Sequence, residues 1–579
     1  MPTLEWIGKD KVISHHLDVP FYLLDRRYTF VAGQGKAQDT ASGNKIIQGD
    51  NLLALKALLP QYEGRVKCIY IDPPYNTGNE KWVYNDNVND PRIKKWLGEV
   101  VGREGEDLSR HDKWLCMMYP RLQLLKRLLS DDGVIFISID DNEQANLRLI
   151  CDEVLGVNCF VSNISWQRTY STRNDSKGIV NEVEYILLYS KQPNWNPNKL
   201  PRTAAMNAKY KNPDNDVARW RTDNAFAPGA ATHQGMVYAI QNPFSGQMIY
   251  PTNGRCWPYS QIQMLEIMQG WCAYELRDLQ DSKQRAHICG VPENEVRKGV
   301  LGIVLSEPLD ISSKKAQTVY ARGQWPRYFF TKGGKGGIAR KTYLDSVGGK
   351  LPTNFLPHTE AGHTDEAKKE MLAIFDGQTT FDTPKPSRLV EHLLRIASDK
   401  DAIILDSFAG SGTTAHAVLN ANKADSGNRK FILVEMMDYA EGITAERVRR
   451  VMDGYGSTEG TGGDFSFYRL GQPLFVDGLI NPEAPLEQIR EYIFYTETGL
   501  AFSPVAPGAA GYLGEANDTA YYFHYDPHET TVLDGKLIAH IRPQAERSVV
   551  YADICLLSAE TLERRRIRFK KIPRDMARL

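Results

Sequence analysis

The chain has 579 residues, 42% of them hydrophobic and 24% charged, with a formal net charge of −1. That length exceeds one ordinary core and predicts two to four domains, while the near-zero charge excludes a global field as the means of holding nucleic acid. The eight cysteines are scattered with no CxxC pair, which excludes a zinc ribbon or disulfide scaffold and fits a reducing cytosol.

The opening stretch MPTLEWIGKDKVISHH has no basic-then-apolar leader, and no apolar run is long enough to span a bilayer, so a cytoplasmic protein is expected. His15, His16 and His392 lack partners at ligand spacing, and no metal site is expected. KIIQG reads as a short strand, and DNLLALKALLPQ as a helix capped by Asp50. VKCIYI is an all-apolar strand that ends on Asp72, Pro73, Pro74 and Tyr75. Two prolines cannot continue a central strand, because neither has a backbone donor. The four residues read either as a tight turn with a solvent-facing Asp or as a stiff platform for a flat polar molecule. HDKWLCMMYPRLQLLKRLLSDDG predicts a long amphipathic helix stopped by Asp-Asp-Gly, followed by the strand GVIFISID and the helix NEQANLRLICDEVLG. Continuous apolar strands between helices predict a mostly parallel sheet covered on both faces. VEYILLYSK adds one more strand.

From about 192 to 378 helical periodicity weakens and aromatics, Gly, Pro and Asn increase. Within this insert, residues 312–341 carry eight Lys or Arg and no acid: Lys314, Lys315, Arg322, Arg327, Lys332, Lys335, Arg340 and Lys341, interleaved with Tyr320, Trp325 and Phe329. The plain reading is a solvated loop. The alternative is a DNA contact, with cations on phosphates and Trp325 among the aromatics against bases. The α/β order then resumes with SRLVEHLLRIAS as a helix.

DAIILDSFAGSGTTAHAVLNAN combines an apolar strand ending at Asp406, a turn with Phe408, Gly410 and Gly412, and a helix opening at Thr413 and Thr414. Glycines let a backbone approach a ligand closely, and no Lys follows them as a phosphate loop would require. RKFILVEM ends the next strand on Glu435, the position that receives ribose hydroxyls in doubly wound folds.

Together Asp72-Pro-Pro-Tyr75 and Phe408-x-Gly410-x-Gly412 resemble S-adenosylmethionine-dependent DNA amino-methyltransferases in the circularly permuted beta-group order. Gly49-Asp50-Asn51 is similar to that family's acid-bearing loop near the cofactor adenine, and TPKPSRLVEHLLRIAS, with Lys385, to the element before its cofactor strand. SWQRTY and NEVEYILLYSK are similar to its segment beside the target-base pocket. LEWIGKDKVISHHLDVPFYLL and SAETLERRRIRFKKIPRD resemble Mod subunits of type III restriction-modification systems. The resemblance implies a Rossmann-like, doubly wound α/β core. Its parts are an N-terminal arm (1–44), a catalytic half (45–191), a target-recognition domain (192–378), a cofactor half (379–470) and a C-terminal α+β region (471–579). It also implies S-adenosylmethionine as cofactor, double-stranded DNA as substrate, a restriction (Res) ATPase/endonuclease partner, a homodimer, and a place on DNA in the prokaryotic cytoplasm.

In such a site Asp72 and the Pro73 carbonyl would draw on the hydrogens of an exocyclic amine, so that its lone pair can point at a sulfonium methyl. Pro74 stiffens the platform, and Tyr75 would stack on a flipped base. Asp50, Lys385, Asp406, Phe408, Gly410, Gly412, Thr413, Thr414 and Glu435 are the expected cofactor residues. Cytosine-C5 chemistry is excluded, since none of the cysteines follows a proline. Adenine N6 is expected over cytosine N4. A solitary methyltransferase and a catalytically silent recognition scaffold stand as alternatives. No GxxxxGK[ST] motor motif is present, so cleavage would come from a partner.

Overall fold

The computed structural model describes every residue except 1–2, 38–40, 78–90, 102–108, 171–178, 477, 507, 509, 542–544 and 573–579. Two compact units result, one from Met1–Asn198 with Pro352–Leu579 and one from Lys199–Leu351.

In the first unit, eleven strands among the described residues form one sheet. They are β1 (Tyr22–Val31), β2 (Gly35–Ala37), β3 (Lys45–Gln48), β4 (Val66–Ile71), β5 (Leu129–Ile139), β6 (Phe160–Gln167), β7 (Val183–Ser190), β8 (Phe355–Leu356), β9 (Ile403–Asp406), β10 (Lys430–Glu435) and β11 (Asp464–Pro473). Across the sheet they run β8-β6-β7-β5-β4-β9-β10-β3-β11-β1-β2. Strands from β5 through β11 in that order are parallel to one another, whereas β7 and β1 are antiparallel additions on either side. The helices that frame the site are α1 (Asn51–Tyr62), α2 (Arg110–Leu128), α3 (Thr364–Ile374), α4 (Ser387–Ala397), α5 (Thr413–Asp425), α6 (Glu446–Asp453) and α7 (Leu486–Thr498).

The apolar strand β4 is buried on both faces. Ile69 and Ile71 join a core cluster with Leu55 of α1 and Leu122 of α2. Cys68 and Tyr70 are equally buried outside that cluster, and α4 packs across the strand. Such a strand needs apolar residues without alternation. The Asp-Asp-Gly expected to stop a helix lies instead inside β5, because α2 ends at Leu128 and the strand begins at Leu129. The pairing with β4 slips between Val66–Leu129 and Cys68–Val134, so the polar residues form a bulge. Gly133 is required there, since a Cβ would lie 2.9 Å from the carbonyl oxygens of Ser130 and Val66.

The expected N-terminal arm contributes β1 to the sheet, and residues 192–198 and 352–378 of the expected target-recognition domain belong to the first unit, β8 being an edge strand. The C-terminal region forms a separate four-stranded sheet of Tyr512–Ala516, Thr519–Phe523, Arg547–Ala552 and Ile567–Lys571. Leu23 of β1, Ile489 and Ile493 of α7, and Leu513 and Tyr551 of that sheet share one core. The basic RRRIRFKK stretch is the end of a short helix followed by an edge strand; the rest of the basic tail, 573–579, lies outside the described residues.

Beneath the glycine turn, Arg447 of α6 is fully buried and ties α3 and α5 to the turn. Its guanidinium donates to Ser411 Oγ (2.9 Å), Thr413 Oγ1 (2.7 Å), Glu370 Oε2 (2.8 Å) and His416 Nδ1 (3.2 Å). Ser387 of α4 donates its hydroxyl to Glu370 at 2.5 Å. An arginine only donates, so His416 Nδ1 carries no proton and the ring is neutral. Burial first, and then Arg447 against the opposing Glu370, lower the His416 pKa to about 4.

The second unit carries its own aromatic core, with Trp257, Trp271, Tyr238 and Tyr328 fully buried. Its three-stranded sheet places Tyr328–Phe330 and Trp220–Asn224 on either side of Ile338–Tyr343. Lys341 is fully buried there. Its ammonium donates to Asp214 Oδ2 (2.5 Å), Asp216 Oδ2 (2.5 Å) and the Trp325 carbonyl (2.7 Å), which satisfies all three N–H groups.

Two measurements test these buried charges. Lys341→Met leaves two carboxylates facing each other, and should cost about 3–5 kcal/mol. Calorimetry of the full chain should show one unfolding transition moved to lower temperature; an unmoved trace would refute the pairing. For His416, the unfolded ring takes up protons below its ordinary pKa of 6.5 while the folded one stays neutral down to about 4. Stability should therefore fall with pH from about 6.5 to about 4, by about 2 kcal/mol at pH 5. His416→Asn should flatten that acid limb in denaturant titrations at pH 7 and 5.

Candidate active site

The two motifs of the sequence meet because β4 and β9 are parallel neighbours, with Cys68 opposite Ile404 and Ile69 opposite Leu405. After β4 the chain moves to β5 on one side, and after β9 it moves to β10 on the other. That divergence is a topological switch point, where a crevice opens beyond the carboxyl ends of the strands. The crevice is half-open and is lined by Tyr70, Asp72, Phe381, Pro384, Lys385, Phe408, Gly410 and Thr413 among others.

The DPPY platform is braced from behind. Trp114 Nε1 of α2 donates to the Pro74 carbonyl at 2.6 Å. The next residue, Asn76, takes the left-handed conformation at φ 59 and donates to Arg110 O at 3.2 Å and to the fully buried Glu143. His111 Nδ1 lies 2.6 Å from the same Glu143 oxygen. The reading of Asp72 as a solvent-facing turn residue is corrected, since it is only 9% exposed. Its two oxygens accept from Lys385 Nζ at 2.9 and 2.8 Å. Tyr75 is buried and donates its hydroxyl to Glu184 Oε2 at 3.1 Å. Arg168 Nη1 donates to Glu184 Oε1 at 2.9 Å.

Four charges therefore alternate in a small volume: Arg168, Glu184, Lys385 and Asp72. Burial alone would lower the Lys385 pKa, but the Asp72 and Glu184 carboxylates outweigh it and hold the ammonium above its ordinary value. Burial alone would raise Glu184, but Lys385 and Arg168 hold it below the usual carboxylate range. Burial, with Asp72 and Glu184 beside it, pushes the Tyr75 phenol well up, so it stays protonated.

In the glycine turn, Gly410 and Gly412 have φ of 53° and 82°, and a Cβ on Gly412 would lie 3.0 Å from the Thr444 carbonyl oxygen. Glu435, at the tip of β10, accepts from Gly410 N at 2.8 Å and from Met437 N at 2.9 Å. Asp406 accepts from Phe408 N at 3.0 Å and from the Thr414 hydroxyl. Burial is the main cause that pushes Asp406 up to about 7. Thr413 donates to the Lys385 carbonyl at 3.2 Å. Asp50 caps α1 by accepting from Leu52 N (2.8 Å) and Leu53 N (3.1 Å). Because Gly49 N bonds the Glu435 carbonyl at 3.0 Å, the ends of β3, β10, β9 and β4 stand side by side. Asp50, Glu435, the glycine turn and Asp72 thus occupy one sheet edge. Within it, Asp406 and Thr414 bond each other, and the Lys385 ammonium is turned onto Asp72.

Glu184 and Arg168 were missed as individual site residues. Glu184 is the one acid within the apolar strand VEYILLYS, and a lone charge in a buried strand signals a partner.

Among the basic residues of the insert, Lys314, Arg322, Arg327, Lys332 and Lys335 are exposed. Lys315 is exposed and paired with Glu307 at 2.7 Å, and Arg340 is half-buried against Asp223 at 3.2 Å. Two expected DNA contacts are corrected. Lys341 is committed to the buried pair with Asp214 and Asp216. Trp325 packs on Tyr320 at 4.5 Å between ring centroids and donates Nε1 to the Tyr320 carbonyl at 3.0 Å, as part of the core of the unit.

Comparison with known proteins places these features in one family. Residues 66–446 match the DNA methylase family of the N6/N4 type. The StyLTI Mod subunit of a type III restriction-modification enzyme of Salmonella typhimurium is 33% identical over 69% of this chain and 53% of its own length. The EcoPI Mod subunit of Escherichia phage P1 is 28% identical over 75% of this chain and 63% of its own length. The type II methyltransferase M.KpnI of Klebsiella pneumoniae is 27% identical over 68% of this chain and 81% of its own. The aligned part of the chain thus spans between half and two thirds of the two Mod relatives. By the span of its match, which takes in both the Asp72 and glycine-turn motifs, the chain belongs to the DNA methylase family.

Proposed function

We propose that the chain is a site-specific DNA methyltransferase that moves a methyl group from S-adenosylmethionine to adenine N6 in double-stranded DNA. It would act on a flipped base, as the modification and specificity subunit of a type III system, in a homodimer with a Res partner for cleavage. One observation carries the chemistry: an amine-accepting platform and a glycine turn follow adjacent parallel strands and line one crevice, together with the Lys385 that bonds Asp72 at 2.8 Å. The names of the two Mod relatives support the type III assignment.

The crevice fits the cofactor on its own geometry. Gly410 brings a residue without a side chain to the crevice lining, and Phe408 offers a partly buried apolar wall. Phe408, Gly410 and Gly412 would form the floor, Thr413 would face the ligand at the helix start, and Glu435 and Asp50 would receive hydroxyl and amine hydrogens. When bound, S-adenosylmethionine supplies an electrophilic methyl on a sulfonium.

The chain's own residues do the rest. Asp72 and the Pro73 carbonyl accept the two hydrogens of the target amine, which pulls the nitrogen out of conjugation with the ring. Trp114 on the Pro74 carbonyl keeps the platform from yielding, and Tyr75, fixed through its hydroxyl, presents its ring to the base. Burial excludes water from the acceptors, so each hydrogen bond has more effect than in solvent. After transfer the amine must lose one proton, and Asp72 is the carboxylate in contact with it. The exposed Lys314, Arg322, Arg327, Lys332 and Lys335 would contact phosphates.

Incubation with tritiated S-adenosylmethionine and DNA from a methylation-deficient host, followed by nucleoside analysis, should place the label in N6-methyladenine. Label in N4-methylcytosine would overturn the base assignment, and no label would overturn the activity. Asp72→Ala should lower turnover by about 10²–10³-fold while calorimetry still detects cofactor binding; unchanged turnover would remove Asp72 from the mechanism.

A further inference from the structure

The Lys385 side chain occupies the place that substrate needs. Its ammonium covers both Asp72 oxygens, at 2.9 and 2.8 Å, and lies 4.8 Å from the centroid of the Tyr75 ring. These are the acceptor atoms and the ring that a target amine and its base would use. Were the ammonium to stay bidentate, it would hold those lone pairs and set a cation beside a cationic methyl donor.

A second station stands ready. Glu184 Oε2 is 3.5 Å from the same ammonium, and Glu184 is already fixed by Tyr75 and Arg168. The lysine backbone is held, since its carbonyl accepts from Thr413 at 3.2 Å, and the following Pro386 leads directly into α4. Movement is thereby confined to the flexible four-carbon stem. A buried carboxylate without a donor is strongly unfavourable, so Asp72 requires one at every stage.

We propose, resting on the methyltransferase reading above, that Lys385 is a two-station positioning residue. At rest it supplies the donors of Asp72. When an exocyclic amine enters and supplies them instead, the ammonium moves onto Glu184. Asp72 is thus kept ionised and aimed while the site is empty, and is released only to a group that can donate hydrogens. Glu184 acts through Lys385, by giving the displaced charge a partner.

A double-mutant cycle on the full-length chain tests this, with tritiated S-adenosylmethionine and plasmid DNA from a methylation-deficient host. Glu184→Gln keeps an acceptor oxygen for Arg168 and an amide that can donate to the Tyr75 hydroxyl, but removes the charge of the second station. It should raise the KM for DNA about tenfold and leave cofactor affinity by calorimetry unchanged. In a Lys385→Met background the same Glu184→Gln change should alter that KM by less than about twofold, because no ammonium remains to be received. Equal factors in both backgrounds, or no rise in KM in the first, would overturn the proposal. If Lys385→Met fails to fold, the unmutated protein bound to a duplex carrying its mapped site decides the matter. Lys385 Nζ should then lie about 3 Å from Glu184 and clear of Asp72; a retained bidentate contact with Asp72 would overturn it. Absence of methyl transfer by the unmutated chain would instead refute the underlying activity, so the two failures are distinguishable.

Discussion

The pairing of β4 with β9 is the constraint on which the rest of this molecule depends. Lys385, which follows Asp72 by 313 positions, bonds it only because these strands are parallel neighbours and end at the same edge. Parallel neighbours need a crossover rather than a tight turn, and a crossover can hold a whole unit of chain if its ends return together. The inserted unit meets that condition at its root, where Leu200 and Lys350 exchange backbone hydrogen bonds at 2.8 Å each. Its length therefore does not disturb the register of β4 with β9.

A second consequence follows from bringing those strand ends together. Asp72, Glu184 and Lys385 are placed where water is scarce, with the half-exposed Arg168 at their margin, and like charges there would expel one another. The alternation of sign is what makes the cluster tolerable, each charge having its opposite within 2.8–3.5 Å. Apolar residues of similar volume would be as stable or more so. The retention of this charge cluster, two of whose members line the crevice, is therefore better understood as a requirement of the chemistry than as a contribution to folding.

Much of this was legible in the chain. The apolar strands VKCIYI and DAIILD announce burial on both faces, and prolines or glycines after them announce where the strands end. Three features were hidden for physical reasons. Asp-Asp-Gly has the composition of a helix stop, and only the slip in pairing between Val66 and Cys68 shows it to be a bulge. Lys341 belongs to a basic run by sequence, yet its partners Asp214 and Asp216 lie more than a hundred positions away, and buried pairing of that kind leaves no local trace. Trp325 likewise reads as an interfacial aromatic until Tyr320 is seen stacked on it. Residue type conveys what a side chain is able to do, whereas the distant partner decides what it does.

The same distinction sharpens the cofactor side of the crevice. Asp406 and Thr414 were expected to face a ligand, but their polar atoms bond each other and Phe408 N, while Glu435 at its strand tip also braces the turn through Gly410 N. Arg447 fixes Ser411 and Thr413 from below. Side chains hold the backbone, and the turn residues Phe408, Ala409, Gly410 and Ser411 line the crevice. A surface built this way has few rotamers to settle when a ligand arrives, so little reorganisation opposes binding or reaction. The moving part is thereby confined to one long side chain, that of Lys385, between two carboxylates already in place.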